Sequence, residues 1–245
     1  MQDFTRELDA LASQSLLRTR RVVDGPQGPL LQVDGHDELS FCSNDYLGLA
    51  NHPQLIAAAA EALQRYGVGA AASPLVSGHS RAHETLEAEL AAFVRRPSAL
   101  VFGNGYMANL GVAAALAGKG DTVVVDRLAH ASLIDGARLS GASLKVFPHN
   151  DVSRLEQVLS RCSSARKLVL TDAVFSMDGD LGPVGELAAV CARHEAWLLV
   201  DDAHGLGVLG PPRTSNLALA GVQAPHVLLM ATWQGGPGAG RFRRR

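Results

Sequence analysis

Trp197-Leu198-Leu199-Val200-Asp201-Asp202-Ala203-His204-Gly205 is a short apolar run that stops at two acids, followed by an imidazole and a glycine. Apolar runs of this length, bounded by turn residues, suit a strand buried on both faces. The pattern recurs at residues 99–102, 122–126, 144–147, 168–175 and 227–230. Between these runs, residues 107–117, 131–139, 152–161 and 184–194 carry apolar side chains at helical spacing. Strands alternating with helices predict an α/β fold: a three-layer, mostly parallel sheet covered on both faces. Ligands of such sheets bind at the carboxyl ends of the strands. Asn104-Gly105-Tyr106, His130, Ser176, Asp201, His204 and Thr232 all fall at those ends.

Outside this alternation the chain reads differently. Residues 4–21 read as a short amphipathic helix carrying Arg18, Arg20 and Arg21, and a hairpin is expected through residues 30–33 and 39–42. Pro53 opens a helix to Tyr66, residues 67–78 form a loop rich in glycine and serine, and residues 83–94 are helical by period. The expected organisation is an N-terminal arm with a small hairpin over residues 1–45 and a large domain over 46–232. A tail of glycine, proline and arginine at 233–245 fits neither a strand nor a helix period.

Composition narrows the function classes. Of 245 residues, 22 are basic and 24 acidic, so no bulk field draws the chain to nucleic acid or to an anionic membrane. No apolar stretch reaches spanning length and no signal-peptide pattern opens the chain. Cys42, Cys162 and Cys191 lack paired metal-ligand spacing and read as reduced thiols. The expected compartment is the cytoplasm.

The residues at the strand ends suit an aromatic, phosphorylated cofactor. Gly105 lets backbone N–H groups at a helix start approach a phosphate, and Tyr106 flanks it. Ordinary strand–helix turns also use glycine, so this feature is weak alone. His130 opens the helix after residues 122–126, where a histidine commonly caps the helix or, alternatively, stacks on an aromatic ring. Asp201 ends a buried strand, where a carboxylate is costly without a partner. Beneath a pyridine nitrogen it would keep that nitrogen protonated, with His204 reaching the ring hydroxyl. Asp201-Asp202-Ala203-His204 also contains possible metal ligands, but no second cluster at ligand spacing supports a metal.

Taken together, several segments resemble the α-oxoamine synthases, a branch of the fold-type I enzymes that use pyridoxal 5'-phosphate. The resemblance runs from about residue 15 to Thr232. It rests on Phe41-Cys42-Ser43-Asn44-Asp45-Tyr46-Leu47-Gly48-Leu49, Leu75-Val76-Ser77-Gly78-His79-Ser80, Gly105-Tyr106-Met107-Ala108-Asn109, Asp126-Arg127-Leu128-Ala129-His130-Ala131-Ser132-Leu133, His149-Asn150-Asp151, Val174-Phe175-Ser176-Met177-Asp178-Gly179-Asp180 and Val200-Asp201-Asp202-Ala203-His204-Gly205. It implies that Gly105, Tyr106, His130, Ser176, Asp201, His204 and Thr232 contact the cofactor. His130, Asp201 and His204 carry the catalytic roles, while Arg18, Asn44 and His130 meet substrate. The activity implied is a decarboxylative condensation of an acyl thioester with an amino acid. For the branch that the wording matches best, these are a pimeloyl thioester and L-alanine in biotin biosynthesis. Alternatives are glycine C-acetyltransferase, 5-aminolevulinate synthase, or a catalytically dead fragment. The resemblance implies a homodimer with neither nucleic acid nor membrane as partner.

The family lysine that binds the cofactor aldehyde follows the last strand as Thr-x-Gly-Lys. Here Thr232 is followed by Trp233-Gln234-Gly235, so Gly235 stands at the lysine position. The remaining lysines, Lys119, Lys145 and Lys167, each precede a strand in this reading, at the opposite end of the sheet. Gln-Gly written CAA-GGN contains the lysine codon AAG one base out of frame. The sequence therefore predicts a frameshift after Thr232, a missing C-terminal small domain and an inactive chain.

Overall fold

The computed structural model describes residues 4–210 and 214–233 and divides into two compact units, residues 1–43 and 44–245.

In the first unit, α1 (Phe4–Ser13) is exposed throughout. It ends short of the expected residue 21: Ser15 turns to a φ of 57°, and the N–H groups of Leu16 and Leu17 bond back to the Leu11 carbonyl. Arg18 lies in the exposed segment that follows. β1 (Val23–Asp24), β2 (Leu30–Val33) and β3 (His36–Leu39) form a small antiparallel sheet. β3 begins three residues earlier than expected because Asp34-Gly35, at φ 52° and 81°, closes the hairpin in two residues. Asp-Gly with both φ values positive is a favoured tight hairpin connection.

The second unit opens with α2 (Pro53–Tyr66), a π-helical turn at Pro74–Gly78 and α3 (Arg81–Phe93). The alternating region follows as α4 (Gly105–Leu116), β4 (Thr122–Asp126), α5 (Ala131–Leu139), β5 (Ser143–Phe147), α6 (Val152–Ser160), β6 (Lys167–Asp172), α7 (Val184–Arg193), β7 (Trp197–Asp201), α8 (Asn216–Leu219) and β8 (Val227–Met230). All pairings in its five-stranded sheet are parallel, in the order β5-β4-β6-β7-β8.

Strand alternation distributes the core between two faces. Val124, Val169, Leu198 and Val200 face one way and pack with Leu155, Leu159, Leu187 and Cys191 of α6 and α7. Val123, Val125, Leu168, Leu170 and Leu199 face the other, against Ala108, Ala113, Leu133 and Ala137 of α4 and α5. Gly136 allows those two helices to approach closely, since a Cβ there would lie 2.9 Å from the Asn109 carbonyl oxygen.

Three further expectations need correction. Residues 99–102 form no strand: Leu100 is 78% exposed, and the Val101 N–H bonds to the Glu87 side chain at 3.0 Å instead of to a neighbouring strand. An apolar run signals burial without supplying the strand edge that a ladder requires. β6 stops at Asp172, beyond which Val174 makes only an isolated bridge to Leu181. Lys145 does not precede a strand but lies inside β5, with its Nζ 3.4 Å from Cys162 Sγ.

Candidate cofactor site

Three strands end in acids at one edge of the sheet: Asp126 on β4, Asp172 on β6 and Asp201 on β7, all buried. Asp172 and Asp201 are paired neighbours in the parallel register. Buried carboxylates require donors, and each of these acids has at least one. Asp126 accepts from the N–H groups of Leu128 at 2.8 Å and Asn150 at 2.9 Å. Asp172 accepts from the His130 N–H at 2.9 Å. Burial and the nearby Asp201 charge push its pKa up to about 7, against the lowering by that N–H.

Asp201 Oδ2 accepts from Asn109 Nδ2 at 2.7 Å, and Oδ1 accepts from the Ala203 N–H at 3.0 Å. The pKa of this carboxyl is raised, because burial outweighs both donors and the charges of His130 and His204, which pull it down. Asp202, next in sequence, turns away to hold a loop by accepting from the Asn216 N–H at 2.8 Å. Burial pushes its pKa up to about 7. A Cβ on Gly205 would strike the Asp202 carboxylate, so the residue after His204 must be small.

His130 is exposed and caps α5, its Nδ1 lying 3.3 Å from the Ser132 N–H and 2.7 Å from Ser132 Oγ. Ser132 is buried and receives the second Asn109 N–H at 2.8 Å. His204 Nδ1 lies 2.7 Å from the Tyr46 hydroxyl, which in turn donates to Asn44 Oδ1 at 3.4 Å. At the start of α4, a Cβ on Gly105 would come within 2.6 Å of Thr232 Cγ2. The Thr232 hydroxyl donates to the Ala203 carbonyl at 3.5 Å. The Tyr106 hydroxyl donates to Asp135 Oδ2 at 2.7 Å, and this bond raises the phenol pKa.

Ser176 is exposed in the turn after Phe175. His149 fastens that turn: Nδ1 is 3.1 Å from Asp126 Oδ1, Nε2 is 2.8 Å from Asp180 Oδ2, and the ring meets Phe175 edge-on at 4.3 Å.

Hydrogen bonds thus join His130 to Asp201, and Asn44 to His204, while close packing joins Gly105 to Thr232. Arg18 belongs to the N-terminal unit, and Gly235 lies outside the described residues. Sequence reading missed Asn109, Ser132, Asp172 and Tyr46. In the sequence Asp172 lies inside the apolar run 168–175, and Asn109, Ser132 and Tyr46 lie in family-like segments with no role attached to them. Among the described residues, no cluster of three or more His, Cys, Asp or Glu side chains is disposed to hold a metal ion.

The model of the family described as aminotransferase class I and II matches residues 36–233. The chain belongs to that family. It is 53% identical over 235 residues to an 8-amino-7-oxononanoate synthase of Nitrosospira multiformis, covering 96% of this chain and 59% of the relative. It is 55% identical over 222 residues to the synthase of the same name from Marinobacter nauticus, covering 91% of this chain and 56% of that protein. Among solved structures, serine palmitoyltransferase of Sphingomonas wittichii matches at a TM-score of 0.83 and 36% identity, over 89% of this chain and 55% of that one. An 8-amino-7-oxononanoate synthase structure from Francisella tularensis matches at a TM-score of 0.63 and 30% identity, over 74% of this chain and 50% of that one. The chain therefore spans between half and three fifths of the length of these relatives.

Proposed function

We propose that this chain carries the pyridoxal 5'-phosphate domain of an 8-amino-7-oxononanoate synthase, which joins a pimeloyl thioester to L-alanine with loss of carbon dioxide in cytoplasmic biotin synthesis. The carrying observation is Asp201: a buried carboxylate at a strand's carboxyl end, held by two N–H donors and linked to an exposed imidazole at His130.

The donor set fits the cofactor in most respects. Asp201 would hold the pyridine nitrogen, His130 would lie against the ring and His204 would serve the ring oxygen. Gly105, whose missing Cβ is needed for the close approach of Thr232, would present the start of α4 to the phosphate together with Ser176 and Thr232. Tyr106 would border the cofactor through its ring, its hydroxyl being engaged by Asp135. When bound, the protonated ring draws electron density from the substrate's α-carbon.

Substrate recognition falls to Asn44 beside Tyr46 and His204, and to His130. The missing element is a lysine at this edge. Lys145 is engaged by Cys162, which follows α6, while Lys167 begins β6 and Lys119 precedes β4. No proton transfer by lysine is therefore assigned to this chain. The working assembly is a homodimer, with neither nucleic acid nor membrane as partner; no described helix is long and apolar enough to cross a membrane.

Titration with pyridoxal 5'-phosphate, followed by absorbance, tests the cofactor assignment. Saturable binding that Asp201→Ala weakens at least tenfold supports it, at about 1.4 kcal/mol per factor of ten. Binding unaffected by that change counts against it. For substrate class, a full-length form with lysine at position 235 should turn over alanine with a pimeloyl thioester in preference to glycine with acetyl- or succinyl-CoA. Preference for glycine would overturn the assignment.

A further inference from the structure

We propose that Asn109 and Ser132 form a buried polar link that holds His130 in its Nε2–H form and makes that form depend on an ionised Asp201. The inference rests on the proposed cofactor site only for its consequence, because the link itself is a property of the chain.

The Asn109 amide is fully buried on α4, within the apolar layer between that helix and the sheet. Its nitrogen is 2.7 Å from Asp201 Oδ2 and 2.8 Å from Ser132 Oγ. Its oxygen, Oδ1, has no hydrogen-bond partner among the described residues. The amide orientation is therefore set entirely on the side facing Asp201 and Ser132. An ionised carboxylate only accepts, so the Asn109 atom facing it must be the NH2 group. Both carboxylate oxygens of Asp201 accept N–H bonds, as suits the ionised form.

With both Asn109 N–H groups donated, Ser132 Oγ accepts one of them, and its own hydrogen is free to go elsewhere. The acceptor at hand is His130 Nδ1, 2.7 Å away. Nδ1 also faces the Ser132 backbone N–H at 3.3 Å. A nitrogen that accepts from two donors carries no proton, so the neutral imidazole keeps its proton on Nε2.

Protonating Asp201 removes the demand that fixes the amide. The amide can then turn its oxygen toward Asp201 and Ser132. Ser132 would then donate to Asn109 and lose its hold on Nδ1. The charge that would serve the cofactor nitrogen and the tautomer of the ring-facing imidazole are thus set together, through two residues that touch neither reactant. Asn109 and Ser132 are positioning residues.

The test is long-range 1H–15N correlation of histidine-labelled protein without cofactor, with the His130 signals assigned by His130→Gln. The wild type should show a protonated Nε2 and an unprotonated Nδ1. Ser132→Ala should move the tautomer ratio toward parity by about fivefold, the worth of one ordinary hydrogen bond, and Ser132→Thr should restore it. Asp201→Asn, which preserves shape, supplies a second variant should Ser132→Ala fail to fold, and it too should shift the ratio toward Nδ1–H. A wild-type ring protonated on Nδ1, or a ratio unmoved by both variants, overturns the link. If the pattern appears but pyridoxal phosphate does not bind, the link stands and the functional proposal falls.

Discussion

At the scale of single residues, the site separates what composition reveals from what only packing reveals. Asp201 and His204 were legible because an acid ending an apolar strand, followed by an imidazole, is unusual for a buried element. His130 was legible from its place at the start of a helix after a strand. Asn109 was not, because its importance depends on a helix crossing that brings it against Asp201, 92 positions away. Ser132 was hidden for the same reason. Gly105 tests whether close approach matters. A Cβ there would sit 2.6 Å from Thr232 Cγ2, so Gly105→Ala should cost about 1–3 kcal/mol of stability by overpacking. Urea unfolding would measure it, and an unchanged midpoint would show that Thr232 can move aside freely.

At the scale of elements, the strand and helix periods located β4, β7, β8, α2 and α5 closely. They failed where a tertiary partner or a tight turn decided the outcome, as at residues 99–102 and at β3. The turn after β6 shows the same dependence on distant groups. His149 joins it to β4 through Asp180 and Asp126. Burial disfavours the imidazolium, but the hydrogen bonds and charges of the two carboxylates outweigh this and raise its pKa. A group raised in the folded state contributes fully below its unfolded value, about 6.5, and loses that contribution as pH rises through the native value. The turn should therefore loosen as pH rises above about 6.5 and through the native value. Hydrogen exchange at the Gly179 N–H, which bonds to the Phe175 carbonyl at 2.8 Å, should become less protected over that window after correction for intrinsic rates. His149→Gln should abolish the pH dependence, and a pH dependence that survives it would assign the effect elsewhere.

Across the whole molecule, two apolar layers flank the sheet, and the proposed chemistry lies at its carboxyl edge. Leu187 of α7 is fully buried in the first layer, so Leu187→Ala should destabilise the second unit by about 2–5 kcal/mol, a cavity cost visible in thermal unfolding. The change lies away from the acids at the strand ends and should leave cofactor affinity unaltered in the surviving folded fraction.

The lysines carry the final prediction. β5 places Lys145 against Cys162, Lys167 starts β6, and Lys119 lies before β4, whereas the acids Asp126, Asp172 and Asp201 end their strands. A strand of ordinary length spans about 17–20 Å, so the amines at the starts of β4 and β6 cannot reach the carboxyl edge. Without a positioned amine, proton transfer at the substrate's α-carbon loses an acceleration of about 10²–10⁴-fold. The chain of 245 residues should therefore bind the cofactor without forming a borohydride-trapped adduct on any one lysine, and show no measurable condensation of alanine with a pimeloyl thioester. Gly235→Lys should restore trapping at that position even if turnover requires more of the protein. Stoichiometric trapping on Lys119, Lys145 or Lys167, accompanied by turnover, would mean that the sheet edge is reached by an amine from its far side and that the assignment of chemistry to that edge is wrong.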